Sequence, residues 1–215
     1  MSAIAFLDFQ KAFDTVDHHL LLQKLDRYRI RGNVWSLFQD YLTRRRQFVQ
    51  IGAHESTSNS LTCGVPQGSV LGPLLFLIYI NDLPGACSGS HVCLFADDTS
   101  ILTDNLTILQ NDLNDVNSWL QKNKMVLNVE KSQLLVFGKN PPDVNNTSID
   151  GKRITLCNQA KYLGVYIDDK LNFDYHISTV TKKLAQLNGF IYRGRSVLSS
   201  KNLVFHYQNY IKPIV

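Results

Sequence analysis

Two acids stand side by side in the stretch FADDTS, at Asp97 and Asp98, with Leu94, Phe95 and Ala96 before them and Ile101 and Leu102 after. Adjacent carboxylates in apolar surroundings repel each other and are costly to desolvate unless a cation compensates them. A third acid, Asp8, ends an apolar row, because in strand alternation it shares a face with Ile4 and Phe6. Carboxylates converging from separate strands can hold two cations about 3.5–4 Å apart, one activating an attacking hydroxyl and the other stabilising leaving oxygens. Hard oxygen ligands with open positions suit Mg2+, which keeps water and completes its octahedron with substrate phosphates; Mn2+ is the alternative. Spacing alone also admits a plainer account, in which Asp8 is a turn residue and the Asp97–Asp98 pair an Asx-type turn.

A second candidate is the loop GVPQGSVLGP, residues 64–73. It offers flexible backbone, an amide at Gln67 and a helix start shortly after, so it can approach a planar or phosphate ligand closely. It lacks the GxxxxGK[ST] pattern of a P-loop.

These residues need elements to hold them. AIAFLDF (3–9) reads as a short buried strand. Asp17 suits the N-cap of a helix through HHLLLQKLDRY, and Gly32 or Asn33 opens a second helix. RQFVQIG (46–52) alternates like a strand, and HESTSNS reads as a turn. Pro73 fits the first position of a helix that is apolar almost all round and therefore buried. HVCLFADDTSILT reads as two strands joined near the acidic pair. An amphipathic helix then carries Leu106, Leu109, Leu113, Val116 and Leu120 on one stripe. SQLLVFG is a strand, Asp150-Gly151 a hairpin turn, AKYLGVYID a strand, and two helices follow at about 174–195 and 200–212. The order implies an α+β fold: a split βαβ, ferredoxin-like sheet with helices on one face and a helical appendage.

Totals bound the reading. The chain has 215 residues, 44% hydrophobic and 19% charged, enough to fill a core. From Lys170 onward, seven bases (Lys170, Lys182, Lys183, Arg193, Arg195, Lys201, Lys212) face one acid, Asp174; with a total of +4, that stretch is near +6 and the rest near −2. Such a basic end suits a polyanion partner, or is a solvated helical face. Cys63, Cys87, Cys93 and Cys157 lack paired zinc spacings and suggest no disulfide framework, so a reducing intracellular compartment is expected, nuclear or cytoplasmic undecided. Met1 leads almost directly into the first strand, so no signal peptide is expected. The longest apolar run, Leu74 to Ile80, is far short of the ~18 residues of a membrane helix, so a soluble protein without a membrane partner is expected.

AFLDFQKAFDTVDH, GVPQGSVLGPLLFLIYINDL, FADDT, LNVEKSQLLVF and YLGVYID occur in that order. Together they resemble the successive palm motifs of reverse transcriptases, specifically the non-LTR (LINE-type) retrotransposon class. The resemblance covers residues 1–169 as a palm, with 170–215 resembling the beginning of a helical thumb. It implies RNA-directed DNA polymerase chemistry, with an RNA template, a DNA primer and a dNTP as partners. By the same resemblance Asp8, Asp97 and Asp98 are metal ligands for two Mg2+. Phe13 is a steric gate whose ring leaves no room for a 2′-OH; taken alone it is equally a core residue, at helical spacing from Phe9. Gln67 and Gly68 brace template and incoming nucleotide. Lys131, in the N-x-x-K-[ST] element Asn128–Ser132, would protonate the pyrophosphate leaving group; without that motif it reads as a solvated lysine. Tyr162 and Gly164 belong to a primer-grip hairpin. Asp14 reads as structural and Asp17 as a cap. His18 and His19 read as solvated, and Arg44–Arg46 as a solvated run or a phosphate contact.

The family's fingers should precede the first motif, and here only a few residues do. A site without that half of its clamp loses positioning that can supply about 7–11 kcal/mol of a catalysed barrier, and the uncovered palm face leaves an apolar patch. Two readings follow: a reverse transcriptase fragment with weakened or absent activity, or a truncated retroelement remnant with at most weak nucleic-acid binding. An unrelated two-metal nuclease would leave Phe13 and the glycine loop without a role. Oligomeric state is not legible.

Overall fold

The computed structural model describes residues 2–138 and 147–214. Thirteen strands and six α-helices follow in the order β1 (Ser2–Leu7), α1 (His18–Arg27), α2 (Asn33–Leu42), β2 (Arg46–Gln47), β3 (Gln50–Ile51), β4 (His54–Glu55), β5 (Asn59–Ser60), α3 (Leu71–Ile80), β6 (His91–Phe95), β7 (Asp98–Thr103), α4 (Leu106–Lys122), β8 (Gln133–Phe137), β9 (Ser148–Ile149), β10 (Lys152–Arg153), β11 (Thr155–Cys157), β12 (Gln159–Tyr162), β13 (Val165–Asp168), α5 (Asp174–Gly194) and α6 (Ser200–His206). The chain divides into two compact units, Met1–Cys157 and Asn158–Val215. The expected boundary at 169/170 differs: the 159–168 stretch groups with the closing helices.

In the first unit, five strands form one sheet in the order β11-β8-β1-β7-β6, with β1 antiparallel to both neighbours. Its β8-β1-β7-β6 core is the ferredoxin-like arrangement expected of a split βαβ, and β11 extends it parallel to β8. Residue parity explains the layering. Ala3, Ala5 and Leu7 lie beside Thr103, Ile101 and Thr99 on one side and beside Val136 and Leu134 on the other, and all of them are buried. They share a core with Leu75, Phe76, Tyr79 and Ile80 of α3 and with Leu109, Leu113, Val116 and Leu120 of α4. Each fully buried Leu, Ile or Phe contributes about 1.5–3 kcal/mol. The opposite parity leaves Ile4 and Phe6 half-buried, Ser100 and Leu135 buried, and Cys93, Phe95 and Leu102 exposed, so this sheet face is open along its β6–β7 side.

Caps hold the helices as the sequence implied. Asp17 accepts from the Leu20 N–H at 2.9 Å, and Asn105 from the Thr107 N–H at 2.8 Å. Inside the helical layer, buried Lys24 donates to Asp82 Oδ1 at 2.7 Å and to the Tyr79 carbonyl at 2.5 Å, while Trp119 Nε1 donates to the same Asp82 oxygen at 3.1 Å. The ammonium is thus paired rather than stranded, which makes its burial tolerable.

Three elements depart from expectation. Residues 46–52 are not one strand but contribute to two separate ribbons, β2–β5 and β3–β4. Alternation there has no surface to pack on: Phe48, Val49 and Ile51 are all at least half exposed. α3 is buried on one side only, with Leu74 and Leu77 in the open, and Pro73 is its third residue. That place still costs no hydrogen bond, because the first four helical N–H groups have no intrahelical acceptor. Finally, AKYLGVYID is not one strand: 159–168 is a hairpin, as the resemblance implied, with β12 paired antiparallel with β13 and turning at Leu163 (φ 47°) and Gly164 (φ 89°). The Asp150–Gly151 hairpin is as expected.

In the second unit, Asp168 ties this hairpin to α5 by accepting N–H groups of Lys170, Asn172 and Phe173 at 3.0, 3.2 and 2.7 Å. Those bonds hold the Asp168 carboxyl below the usual carboxylate range against the opposing effect of desolvation. α5 and α6 carry exposed aromatics, among them Tyr192 and Phe205.

Gly72 lies where the glycine loop enters α3, and a Cβ there would sit 2.5 Å from the Pro66 carbonyl oxygen. Backbone cannot yield as a side-chain tip can, so Gly72→Ala is expected to lower stability by about 1–3 kcal/mol. Thermal unfolding checks it, with Gly85→Ala, whose added methyl meets open space, as the neutral reference.

Candidate active site

β1 ends at Leu7, opposite Thr99 of β7. One step further, antiparallel register sets Asp8 level with Asp98, on the open sheet face by parity. Asp98 also pairs with Phe95 across the β6–β7 hairpin, leaving Ala96 and Asp97 as a two-residue turn. Ala96 takes φ 52°, a left-handed conformation that an alanine adopts at a cost of about 1–2 kcal/mol. The turn therefore stores strain beside the acids.

Asp98 is held above the ordinary carboxylate range, by desolvation first, then by Asp97, then by Asp8. Among the described residues, no three His, Cys, Asp or Glu side chains close round a point as a finished cation cage. Register and the hairpin turn bring the three acids to one end of the sheet, and their all-oxygen donor set fits a hard divalent cation.

Asp8 is fixed from its other flank too. Its N–H donates to Ser132 Oγ at 3.2 Å and its carbonyl accepts from the Asn128 N–H at 2.7 Å, while Phe9 bridges Leu127. The Asn128–Ser132 turn closes on itself: the Ser132 N–H and hydroxyl both donate to the Asn128 carbonyl, at 3.0 and 2.9 Å. Ser132 is wholly buried, and Lys131 before it is exposed. Sequence reasoning singled out Lys131 here and missed the structural work of Asn128 and Ser132. The signal was present in the N-x-x-K-S pattern itself, whose polar first and last residues suit a closed turn.

Phe13 stacks on buried Phe76 of α3, with ring centroids 4.5 Å apart. Its ring is half-buried and held from behind. The glycine loop is pinned to the Phe13–His18 segment by three bonds: Val65 N–H to the Phe13 carbonyl, Gly64 N–H to the Val16 carbonyl, and His18 Nε2 with the Gly64 carbonyl, each 2.8 Å. Gly64 (φ 86°) packs so tightly that a Cβ would lie 3.0 Å from the Asp14 carbonyl oxygen. His18 is thus not solvated as expected: it is buried, and facing a carbonyl it must be the donor. His19 is exposed. Gln67 and Gly68 (φ 79°) are exposed on the loop, and Gln67 Nε2 donates to Asp14 Oδ1 at 2.8 Å. A cavity of about 380 Å³ opens beside them, lined by Asp14, Arg45, Gln47, Cys63 and Gln67 among others. Asp17 is the cap expected and also pairs with Lys124 at 2.7 Å.

Asp8, Asp97, Asp98, Lys131, Phe13, Gln67 and Gly68 all belong to the first unit. Tyr162 and Gly164 belong to the second, in the β12–β13 turn. No helix among the described residues is long and apolar enough to cross a membrane.

The family described as Reverse transcriptase (RNA-dependent DNA polymerase) matches residues 2–167. The RNA-directed DNA polymerase from mobile element jockey of Drosophila melanogaster is 31% identical over 204 residues, covering 87% of this chain and 22% of the relative. The Pol polyprotein from type-1 retrotransposable element R2 of Popillia japonica is 30% identical, covering 75% of this chain and 30% of its own. This chain thus spans under a third of either relative. Among solved structures, an apo telomerase from Candida tropicalis, truncated from its C-terminal domain, matches with a TM-score of 0.57 at 16% identity, covering 80% of this chain and 35% of the telomerase. At that identity the likeness supports the fold.

The desolvation of Asp98 and its repulsion by Asp97 and Asp8 have a testable sign. Because the folded protein raises the Asp98 pKa, ionising it costs stability. The cost is absent below the ordinary carboxylate range, grows as pH rises through it, and is complete near neutrality. Asp98→Asn is therefore expected to raise the cation-free melting temperature at about pH 7 and to leave it unchanged near pH 3. Added Mg2+ is expected to stabilise the wild type more than the variant. Calorimetry across pH, with and without Mg2+, reads both.

Proposed function

Because this chain belongs to the reverse transcriptase (RNA-dependent DNA polymerase) family, on its non-LTR retrotransposon branch, we propose that it adds deoxynucleotides to a DNA primer on an RNA template at Asp8, Asp97 and Asp98. The observation that carries this reading is the β1–β7 register, which sets Asp8 level with Asp98 at the end of an open sheet face. Bound there, a pair of Mg2+ ions would supply activation of the primer 3′-hydroxyl and neutralisation of charge on the transferring phosphoryl group.

The chain's own residues do the rest. Asp8, Asp97 and Asp98 are the oxygen donors, and the hairpin turn and the Ser132 buttress hold them in place. The primer 3′-hydroxyl gives up its proton to solvent as its oxygen bonds the α-phosphorus of the dNTP, the α–β phosphoanhydride bond breaks, and pyrophosphate leaves. Lys131 gives that leaving group its proton. Phe13, braced by Phe76 at 4.5 Å, meets the sugar at its 2′ carbon and excludes a hydroxyl. Gln67 and Gly68 position template and nucleotide, and Tyr162 and Gly164 meet the primer end. The bases of α5, Lys182, Lys183 and Arg193, suit phosphate backbone.

Primer extension on an RNA template with Mg2+ tests the proposal. Asp97→Asn is expected to cut the rate by about 10²–10³-fold or more, the scale of a lost charge-stabilising group, with little change in melting temperature. Phe13→Val is expected to admit ribonucleotides. Extension by Asp97→Asn at the wild-type rate would overturn the assignment.

A further inference from the structure

The geometry points to Asp14 as a positioning residue that sets the polarity of the Gln67 amide. An ionised carboxylate accepts hydrogen bonds and cannot donate them. The Gln67 side chain could meet a neutral partner with either end, but beside Asp14 Oδ1 it must present its nitrogen, and does so at 2.8 Å. Its carbonyl oxygen is thereby turned away, and among the described residues no donor reaches it. The loop consequently offers an incoming ligand a defined acceptor instead of an amide free to invert.

The backbone on both sides makes the contact pre-set. Asp14 N–H donates to the Lys11 carbonyl at 2.8 Å, and Lys11 holds a left-handed φ of 45°. Gly64 rests on the Asp14 backbone, close enough that only a missing side chain fits without displacement. Val65 N–H is tied to the Phe13 carbonyl two residues before Gln67. Both partners thus leave from segments already joined, so little entropy is lost in pairing them. Both also line the same cavity of about 380 Å³, where Arg45 stands as the nearby cation of the lining. The oriented amide matters to catalysis only through the proposed polymerase site, on which that part of the inference rests.

Two readouts test it. In protein labelled with 15N, the Gln67 side-chain amide is identified by its disappearance in Gln67→Ala. It is expected to show one proton shifted and protected from exchange, and to move to the solvent-exposed position in Asp14→Asn, which can donate as well as accept. In primer extension, Asp14→Asn and Gln67→Ala are each expected to lower kcat/KM for the dNTP by about tenfold, mostly through KM, the scale of a hydrogen bond to a charged group. Asp14→Asn is expected to add less than about twofold in the Gln67→Ala background. A solvent-like Gln67 amide in the wild type would overturn the contact, and losses that multiply would overturn its role, since a purely structural Asp14 acts independently of Gln67. Absence of extension from every variant and the wild type counts against the polymerase reading, while the amide spectrum still decides the contact.

Discussion

Antiparallel pairing between Ser2–Leu7 and Asp98–Thr103 is the constraint on which the molecule turns. Side chains alternate with a period of two, so a slip of one residue would send every core side chain outward and every outward one into the core. Ala3, Ala5 and Leu7 are wholly or almost wholly buried against two helices, which makes such a slip prohibitive. The same register that buries them puts Asp8 on the open face, level with Asp98. Core packing and acid placement are therefore one decision. Hydrophobic burial, non-directional in itself, is converted by strand pairing into a position for a charge.

That coupling explains why much of the site was legible without coordinates. The parity of Ile4, Phe6 and Asp8, the two apolar runs around FADDTS, and the cap and stripe of the 106–122 helix are local patterns with tertiary meaning. What was not legible shares a different physics. Phe48, Val49 and Ile51 alternate as a strand should, yet no packing surface lies beneath them, and pattern does not say what will be opposite. The 71–80 helix is apolar all round, but apolar residues are not thereby buried. His18 looked like a surface residue because its partner, the Gly64 carbonyl, is 46 positions away. A buried hydrogen bond between distant segments leaves no periodicity to read.

The loops are where those distant bonds concentrate. Residues 13–18 and 63–67 are joined by backbone amides, by His18 and by the Gln67–Asp14 pair. Gly64 permits this because the approach leaves no room for a Cβ. Phe13 shares in the same rigidity, gripped through its carbonyl by Val65 and through its ring by Phe76. Stacking against a fully buried phenylalanine stiffens that ring, which the role proposed for it requires.

Asp8 faces the harder demand. Three like charges at one end of a sheet push apart, and the cheapest relief would be for the end of β1 to peel away from β7. The Asn128–Ser132 turn blocks that route. It occupies the opposite flank of Asp8, takes up both of its backbone hydrogen-bonding groups, and anchors through a serine that is itself buried. Peeling would then break both of these hydrogen bonds, while Ser132 keeps its bond to the Asn128 carbonyl, at about 1–3 kcal/mol for each buried group left unsatisfied. Desolvation first, and then the neighbouring charges of Asp97 and Asp8, hold the Asp98 carboxyl above its ordinary range. A strand locked on both sides thus keeps its acids together at one end of the sheet despite their like charge.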